Sequence, residues 1–451
     1  MSSILDLTDE SYFQNENSIQ SFEYREYEPD KPLEAEATSG EINISINAQD
    51  VLIYPAQSYL LVKGRLASTT NDAFEANSPI TLTNNAVPYL FKEIYYKIGT
   101  TTVESVMHPG QVSTMKGMLT YNTENKLAMC WAKDNSRSIH DPATRPTLIN
   151  NGFKARSSVI MEKPNTPGHF SFVIPLKHLL GFFEDYRKVM YGVKHTLTFT
   201  RAGNDLAIYK RGAHAAIGNA GDAAHRPAVA EFRNGKIILT KFSWVMPHVI
   251  PSLGSELNIT KLIESKVKIP IAFRALRCDT LAVPQRTSVS WRLAAQSGSE
   301  KPRWILLSFQ TAADNSQLAN YSIFDHCNVK TVYCTINTDR FPFTDMSTNF
   351  PEYDVAQVYK NMTEFKEQFY GISGYESEPA ISGIDEFVNL YPIFVIDLRH
   401  QSERLKNTMQ DIQIRMEFRD NPPANTTAYA VMISDKLMAL ESDGSRFHLI
   451  Y

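Results

Sequence analysis

A chain of 451 residues, 43% hydrophobic and 21% charged, holds apolar material for two cores rather than one. Its formal net charge of −4 is uneven: residues 1–36 carry ten Asp and Glu against Arg25 and Lys31, and the remainder carries a balance of +4. An acidic leader on a nearly neutral body excludes a dedicated sequence-specific nucleic-acid binder, which would present a basic face. No apolar run approaches the ~18 residues of a membrane-spanning helix.

Residues 1–40 read as an acidic N-terminal arm. Phe13, Phe22, Tyr24 and Tyr27 are scattered among acidic residues and followed by Pro29, Pro32 and Gly40. Such text cannot bury a core of its own. Two readings stay open for it: a solvated tail, or an arm whose four aromatics anchor it on a neighbouring subunit. The start, Met1-Ser2-Ser3-Ile4-Leu5-Asp6, lacks a basic, then apolar, secretory leader. Cys130, Cys278, Cys327 and Cys334 have no metal-like spacing, so synthesis in a reducing compartment is expected.

From Glu41 the period becomes two, with Ile42, Ile44 and Ile46 on one face of a strand. Tyr59 to Leu66 predicts a strand buried on both faces. Phe91 to Ile98 predicts a strand turning at Gly99-Thr100 into a partner at Thr102 to Val106. Gln111 to Leu119 reads as a short helix and 122–168 as a polar, turn-rich excursion. Strands follow at His169 to Ile174 and His195 to Thr200. The Ala-, Gly- and His-rich stretch 202–233 has no period and reads as an inserted surface loop. Gly235 to Met246 closes the first half, with a boundary at Pro247 to Pro251.

The second half begins with a short helix near Glu256 to Glu264. Strands are predicted around Ile269 to Phe273, Val289 to Leu293, Trp304 to Phe309, Val329 to Ile336, Ile393 to Ile396, Ile412 to Phe418 and Ala428 to Ile433. Val355, Val358, Tyr359, Met362, Phe365 and Phe369 fall on one face of a helix that Gly371 stops. Lys266, Lys268 and Arg274 read as solvated positions opposite apolar ones.

The two halves echo each other in order. Phe172-Val173-Ile174-Pro175-Leu176-Lys177-His178 matches Phe394-Val395-Ile396-Asp397-Leu398-Arg399-His400 at five of seven positions. Upstream, Ile94 to Thr100 echoes Val332 to Thr338; downstream, Leu197 to Arg201 echoes Met416 to Arg419 more loosely. Self-similarity over half the chain predicts two fused copies of one domain. Short strands, few helices and long loops make each copy an all-β sandwich, and the eight-stranded jelly roll fits the strand count best. The expected organisation is an arm at 1–40, a first jelly roll at 41–250 and a second at 251–451.

Catalytic signatures do not emerge. There is no GxGxxG after a strand, no P-loop, no HExxH and no HxH pair. Asp325-His326-Cys327 are consecutive strand-like residues, which point to alternate faces and cannot form a triad alone. His178 and His400, matched by the repeat, suggest a repeated structural role. No cofactor or metal is predicted.

Several motifs are familiar as a set: Ile53-Tyr54-Pro55-Ala56-Gln57-Ser58-Tyr59, Leu82-Thr83-Asn84-Asn85-Ala86, Ser243-Trp244-Val245-Met246-Pro247-His248, Glu300-Lys301-Pro302-Arg303, Phe324-Asp325-His326-Cys327-Asn328 and Asn425-Thr426-Thr427-Ala428-Tyr429. From about Ser45 to Leu437 the chain resembles the double jelly-roll proteins of Polinton and adintovirus elements and related proteins integrated in invertebrate genomes. The acidic arm and the 202–233 insertion depart from that pattern. The resemblance implies a major capsid protein of the adenovirus-like lineage, located in the virion shell. Its implied partners are two further copies in a homotrimer, neighbouring capsomers, and a penton or minor capsid protein. Two other classes stay in play: a two-jelly-roll glycan-acting enzyme, for which a secretion signal and disulfides are missing, and a host-domesticated binding protein. Particle size discriminates them.

Overall fold

A computed structural model of the protein describes residues 18–34, 39–47, 51–121, 126–140, 147–204, 206–218, 220–221, 225–266, 268–293, 300–311, 316–343, 345–374, 378–381, 383–401, 411–442 and 447–450. The first half opens with β1 (Ile19–Tyr27), β2 (Glu41–Ile46), the two-residue β3 (Leu52–Ile53), β4 (Tyr59–Ser68) and β5 (Ile80–Leu82). The short helix α1 (Ala86–Tyr89) precedes the hairpin β6 (Phe91–Ile98) and β7 (Thr101–Met107), followed by helices α2 (Pro109–Thr120) and α3 (Asn151–Ile160). Then come β8 (His169–Pro175), α4 (Gly181–Asp185), β9 (His195–Arg201), β10 (Ile208–Lys210) and β11 (Gly235–Pro251), and α5 (Leu253–Glu264) leads onward. The second half holds β12 (Ile269–Ala282), β13 (Ser288–Arg292), β14 (Glu300–Thr311), β15 (Val329–Ile336), β16 (Asp339–Phe341), α6 (Ala356–Tyr370), α7 (Ile384–Asn389), β17 (Phe394–Asp397), β18 (Ile412–Phe418), β19 (Thr426–Ser442) and β20 (Phe447–Ile450).

The strands form two main antiparallel sheets per half, and β5 and β10 pair as a further two-stranded sheet in the first half. The first half orders them β1-β11-β4-β8, with β3 beside β11, and β2-β9-β6-β7. The second orders them β12-β19-β14-β17, with β20 beside β19, and β13-β18-β15-β16. Read side by side, eight strands correspond one for one and in chain order: β1 with β12, β2 with β13, β4 with β14, β6 with β15, β7 with β16, β8 with β17, β9 with β18 and β11 with β19. The fold is therefore a double jelly roll.

All three sequence echoes fall on corresponding strands: β8 and β17, β6 and β15, β9 and β18. The heptapeptide match sets the register between the two halves. Ile174 pairs with Leu60 and Ile396 with Ile305, so β4 and β14 align as Leu60 to Ile305. The loosest echo has the right strands but not the right register. Ile94 pairs with Phe199 whereas its counterpart Val332 pairs with Met416, so Phe199 corresponds to Met416, two residues from the sequence match. A two-residue slip keeps every side chain on its face, which is why the pattern alone did not reveal it.

Period-two burial explains most strands. In β2, Ile42, Ile44 and Ile46 are buried while Asn43 and Ser45 are half-buried, and Thr198 of β9 donates its hydroxyl to Asn43 Oδ1 at 2.6 Å. The β6–β7 turn places Gly99 at φ 61°, the left-handed region glycine enters at least cost. In α6, Val358, Met362, Phe365 and Phe369 form the buried stripe, and Gly371 caps the helix at φ 66°. Trp304 packs on that stripe, its ring 5.7 Å from Phe365 and 5.5 Å from Phe369.

The structure corrects four sequence expectations about the elements themselves. Residues 19–27, assigned to the arm, form β1, an edge strand paired along its length with β11. Only Ser21 and Tyr27 of β1 are even half-buried, so backbone pairing rather than burial holds the strand, and no apolar alternation marks it. The 122–168 excursion contains α3, capped by Asn150, whose side chain accepts from Phe153 N at 3.0 Å. The 202–233 stretch is not wholly a surface loop, because Ile208, Tyr209 and Lys210 are buried in β10 against β5. Tyr59 to Leu66 is not buried on both faces: Lys63 is exposed, and Tyr59, Leu61 and Arg65 are half-buried.

The β10 finding sharpens an expectation for that insertion. Replacing 213–229 by a few glycines should leave the melting temperature nearly unchanged, since loop length costs only ~0.6 kcal/mol per doubling. Deleting 206–210 as well should lower it by several degrees through loss of buried apolar area. Thermal melts of the two deletions check this; equal effects would contradict the role given to β10.

Candidate functional site: the junction between the halves

β12 is the edge strand of its sheet, and its outward backbone groups need partners. The first half supplies them. Asp185, at the end of α4, accepts from Arg274 N at 2.8 Å, and Glu104 of β7 accepts from Leu276 N at 2.7 Å. Asp185 also grips the Arg274 guanidinium through Nε at 2.8 Å and a second nitrogen at 2.6 Å. That guanidinium lies 3.7 Å from the centre of the Phe369 ring. Gly181 approaches Arg274 so closely that a Cβ would stand 1.8 Å from its carbonyl oxygen, so no other residue fits there. Phe182 adds an edge contact to Phe273, with ring centres 5.4 Å apart.

Glu104 is fully enclosed. Besides Leu276 N it accepts from Gly181 N at 3.0 Å and Phe182 N at 2.9 Å. Burial pushes its carboxyl up to about 7, opposed by those three N–H groups and by the nearby Lys116. Lys116, inside the wholly buried α2, pairs with Glu184, which also accepts from Tyr370 OH at 2.6 Å.

A second buried node joins the halves. Arg156 of α3 and Asp134 are both 0% exposed and paired at 2.8 Å. Arg156 also donates to Leu82 O at 2.8 Å. From the second half, Asn320 Nδ2 and Ser322 Oγ donate to Asp134 Oδ2 at 2.9 and 3.0 Å, and Tyr391 OH donates to the Asp134 carbonyl at 2.8 Å. At its rim, Arg137 pairs with Asp325 at 2.8 Å and Lys133 with Glu386 at 2.7 Å. This network ties one jelly roll to the other.

Of the residues singled out from sequence, Asp325 and Arg274 belong to the junction and the others lie elsewhere. Phe22 and Tyr24 stand on the open side of β1, ring centres 5.5 Å apart, and Tyr24 is 6.0 Å from Tyr59. Tyr27 turns inward, its hydroxyl 2.7 Å from His248 Nε2. Phe13 lies outside the described residues. Asp325, His326 and Cys327 each serve a separate contact. Asp325 holds Arg137 and accepts from Thr311 N at 2.7 Å. His326 stacks on Phe350 at 4.5 Å, and burial pushes the Cys327 thiol up to about 11, so it stays protonated at neutral pH. His178 and His400 do not share a role: His178 packs on the Tyr121 ring at 4.6 Å, whereas His400 is exposed at a turn. Arg274 is no solvated position but a centre of the junction. Lys266 and Lys268 are exposed.

Sequence reading missed Glu104, Asp134, Arg156 and Asp185. Only Glu104 offered a signal, a lone charge in the apolar text Val103-Glu104-Ser105-Val106; Asp134, Arg156 and Asp185 sit among other charged and polar residues. Among the described residues no group of three or more His, Cys, Asp or Glu is arranged to hold a metal ion, and no helix is long and apolar enough to cross a membrane.

Two jelly rolls in one chain, with matching strand orders, define the class of double jelly-roll proteins. The chain belongs to the double jelly roll-like domain family, whose model matches residues 80–438. No curated protein matches it. Among solved structures, a chain of the Sputnik virophage is 11% identical with a TM-score of 0.55, covering 100% of this chain and 92% of that one. The Faustovirus major capsid protein is 9% identical with a TM-score of 0.52, covering 96% and 90%. The mavirus major capsid protein is 11% identical with a TM-score of 0.50, covering 95% and 90%.

Proposed function

We propose that the chain is the major capsid protein of a virus or an integrated viral element. Three copies form a pseudo-hexagonal capsomer, and capsomers tile an icosahedral shell. The observation that carries this reading is the strand-for-strand duplication, with the two halves joined by the Glu104–Leu276, Asp185–Arg274 and Asp134–Ser322 contacts. Two equivalent domains per chain let a three-fold ring imitate six-fold packing. The role is structural, in the virion capsid, with neighbouring capsomers and a penton or minor capsid protein as partners. Residues 1–17, including Phe13, are proposed as the remaining arm that reaches a neighbouring subunit.

Light scattering of the purified protein should give a trimer, with interfaces burying more than ~2,000 Å² in total as obligate assemblies do. Electron microscopy should then show pseudo-hexagonal particles or closed shells. A stable monomer at assembly concentrations would overturn the reading.

A further inference from the structure

The junction has a counterpart that the chain itself leaves open. β1 corresponds to β12, and both are edge strands. Tyr24 pairs with Pro247 and Glu26 with Val245, while Arg274 pairs with Asp435 and Leu276 with Ile433. Val245 pairs with Tyr59, and Ile433 pairs with Trp304, the counterpart of Tyr59. Tyr24 therefore corresponds to Arg274, and Glu26 to Leu276. Pro247 has no N–H to give, so the backbone groups of Tyr24, like those of Arg274, are directed away from the sheet.

In β12 that edge is closed by Glu104 and Asp185 of the first half. In β1 it stays open among the described residues, with Phe22 39% and Tyr24 52% exposed. An uncovered edge strand carrying aromatics is a template for association.

The other side of the junction also has an open counterpart. β7 corresponds to β16. Glu104 pairs with Tyr96, and Phe341 with Cys334, the counterpart of Tyr96. Phe341 thus occupies the position of Glu104, and just beyond it Phe343 is 72% exposed, its ring 5.3 Å from that of Phe341. An aromatic stands bare on each of the two surfaces whose counterparts meet inside the chain.

We propose that these surfaces meet between copies. The β1 edge of one copy, with Phe22 and Tyr24, docks on the β16 end of a second copy, with Phe343, as β12 receives β7 and α4 within one chain. Repeating the internal relation between copies is a heterologous contact, the type that makes a ring where the rotation closes. The inference rests on the capsomer reading and assigns its contact surface.

Charge substitutions test it. Tyr24→Lys alone and Phe343→Glu alone should each raise the protein concentration needed for half-trimerisation by at least about tenfold. Both side chains are exposed in the single chain, so the melting temperature of the monomer should hold. The double variant Tyr24→Lys with Phe343→Glu should regain most of the loss, and Tyr24→Glu with Phe343→Glu should not. Should either charged variant misfold, Tyr24→Ser and Phe343→Ser give the same readout. Single variants that trimerise like the parent overturn the contact and leave the capsomer reading standing. An effect at one site without recovery in the double variant overturns the pairing. A parent protein that is monomeric throughout overturns both.

Discussion

Replacing Asp134 with alanine is expected to lower the unfolding free energy by about 3–5 kcal/mol, the usual cost of stranding a buried charge. Arg156 would be left in a space where it is 0% exposed, with its guanidinium still bound to carbonyls but without a counter-charge. Asn320 and Ser322 of the second half would lose their shared acceptor at the same time. The damage is therefore to the junction as well as to the first core. Asp134→Leu with Arg156→Met should cost much less than the single change, because no unpaired charge remains. Urea denaturation of the variants checks both statements. A single variant within 1 kcal/mol of the parent would mean that the ion pair is not the keystone its burial implies.

How legible was this architecture in the sequence? Where a strand buries one face, as in β2 or β6, the alternation of Ile42, Ile44 and Ile46, or of Ile94, Tyr96 and Ile98, marked it directly. The duplication was carried by residue-for-residue echoes in the same order, because corresponding strands must fill corresponding cores. β1 was hidden because pairing with β11 asks nothing of side chains that mostly stay exposed. β10 was hidden because three residues are too few to show a period. The junction was hidden for a different reason. Glu104 stands on the core face of β7, opposite the buried Tyr96, and Arg274 on the outward face of β12; the partners of both come from the other half, which no local pattern records. The open aromatics Phe22 and Tyr24 were visible as anchors, but their place on an edge strand was not.

Glu104 is expected to make the junction pH-sensitive, with a sign opposite to that of a paired surface carboxylate. Burial raises its carboxyl from the ordinary 4.5 to about 7. Between those values the folded protein holds a proton that the unfolded chain has released, so stability falls as pH rises through this window. The contribution is present in full below about pH 4.5, is lost as pH passes 7, and amounts to on the order of 3 kcal/mol. Other groups work against it in the whole protein. His195, held down to about 3 by burial beside Tyr96, stays neutral in the fold while the unfolded chain charges below its ordinary 6.5, so acid destabilises through it. The clean quantity is thus the difference between the parent and Glu104→Gln, in which His195 cancels. The amide also has to aim an N–H at backbone N–H groups of Gly181, Phe182 or Leu276, so the variant should be less stable at every pH. The gap between the two proteins should widen by on the order of 3 kcal/mol as pH is lowered from about 8 to about 4.5, read from denaturation curves across that range. A gap that narrows on acidification would mean that the three N–H donors and Lys116 outweigh desolvation, leaving Glu104 a buried carboxylate that clamps the junction more tightly as pH rises.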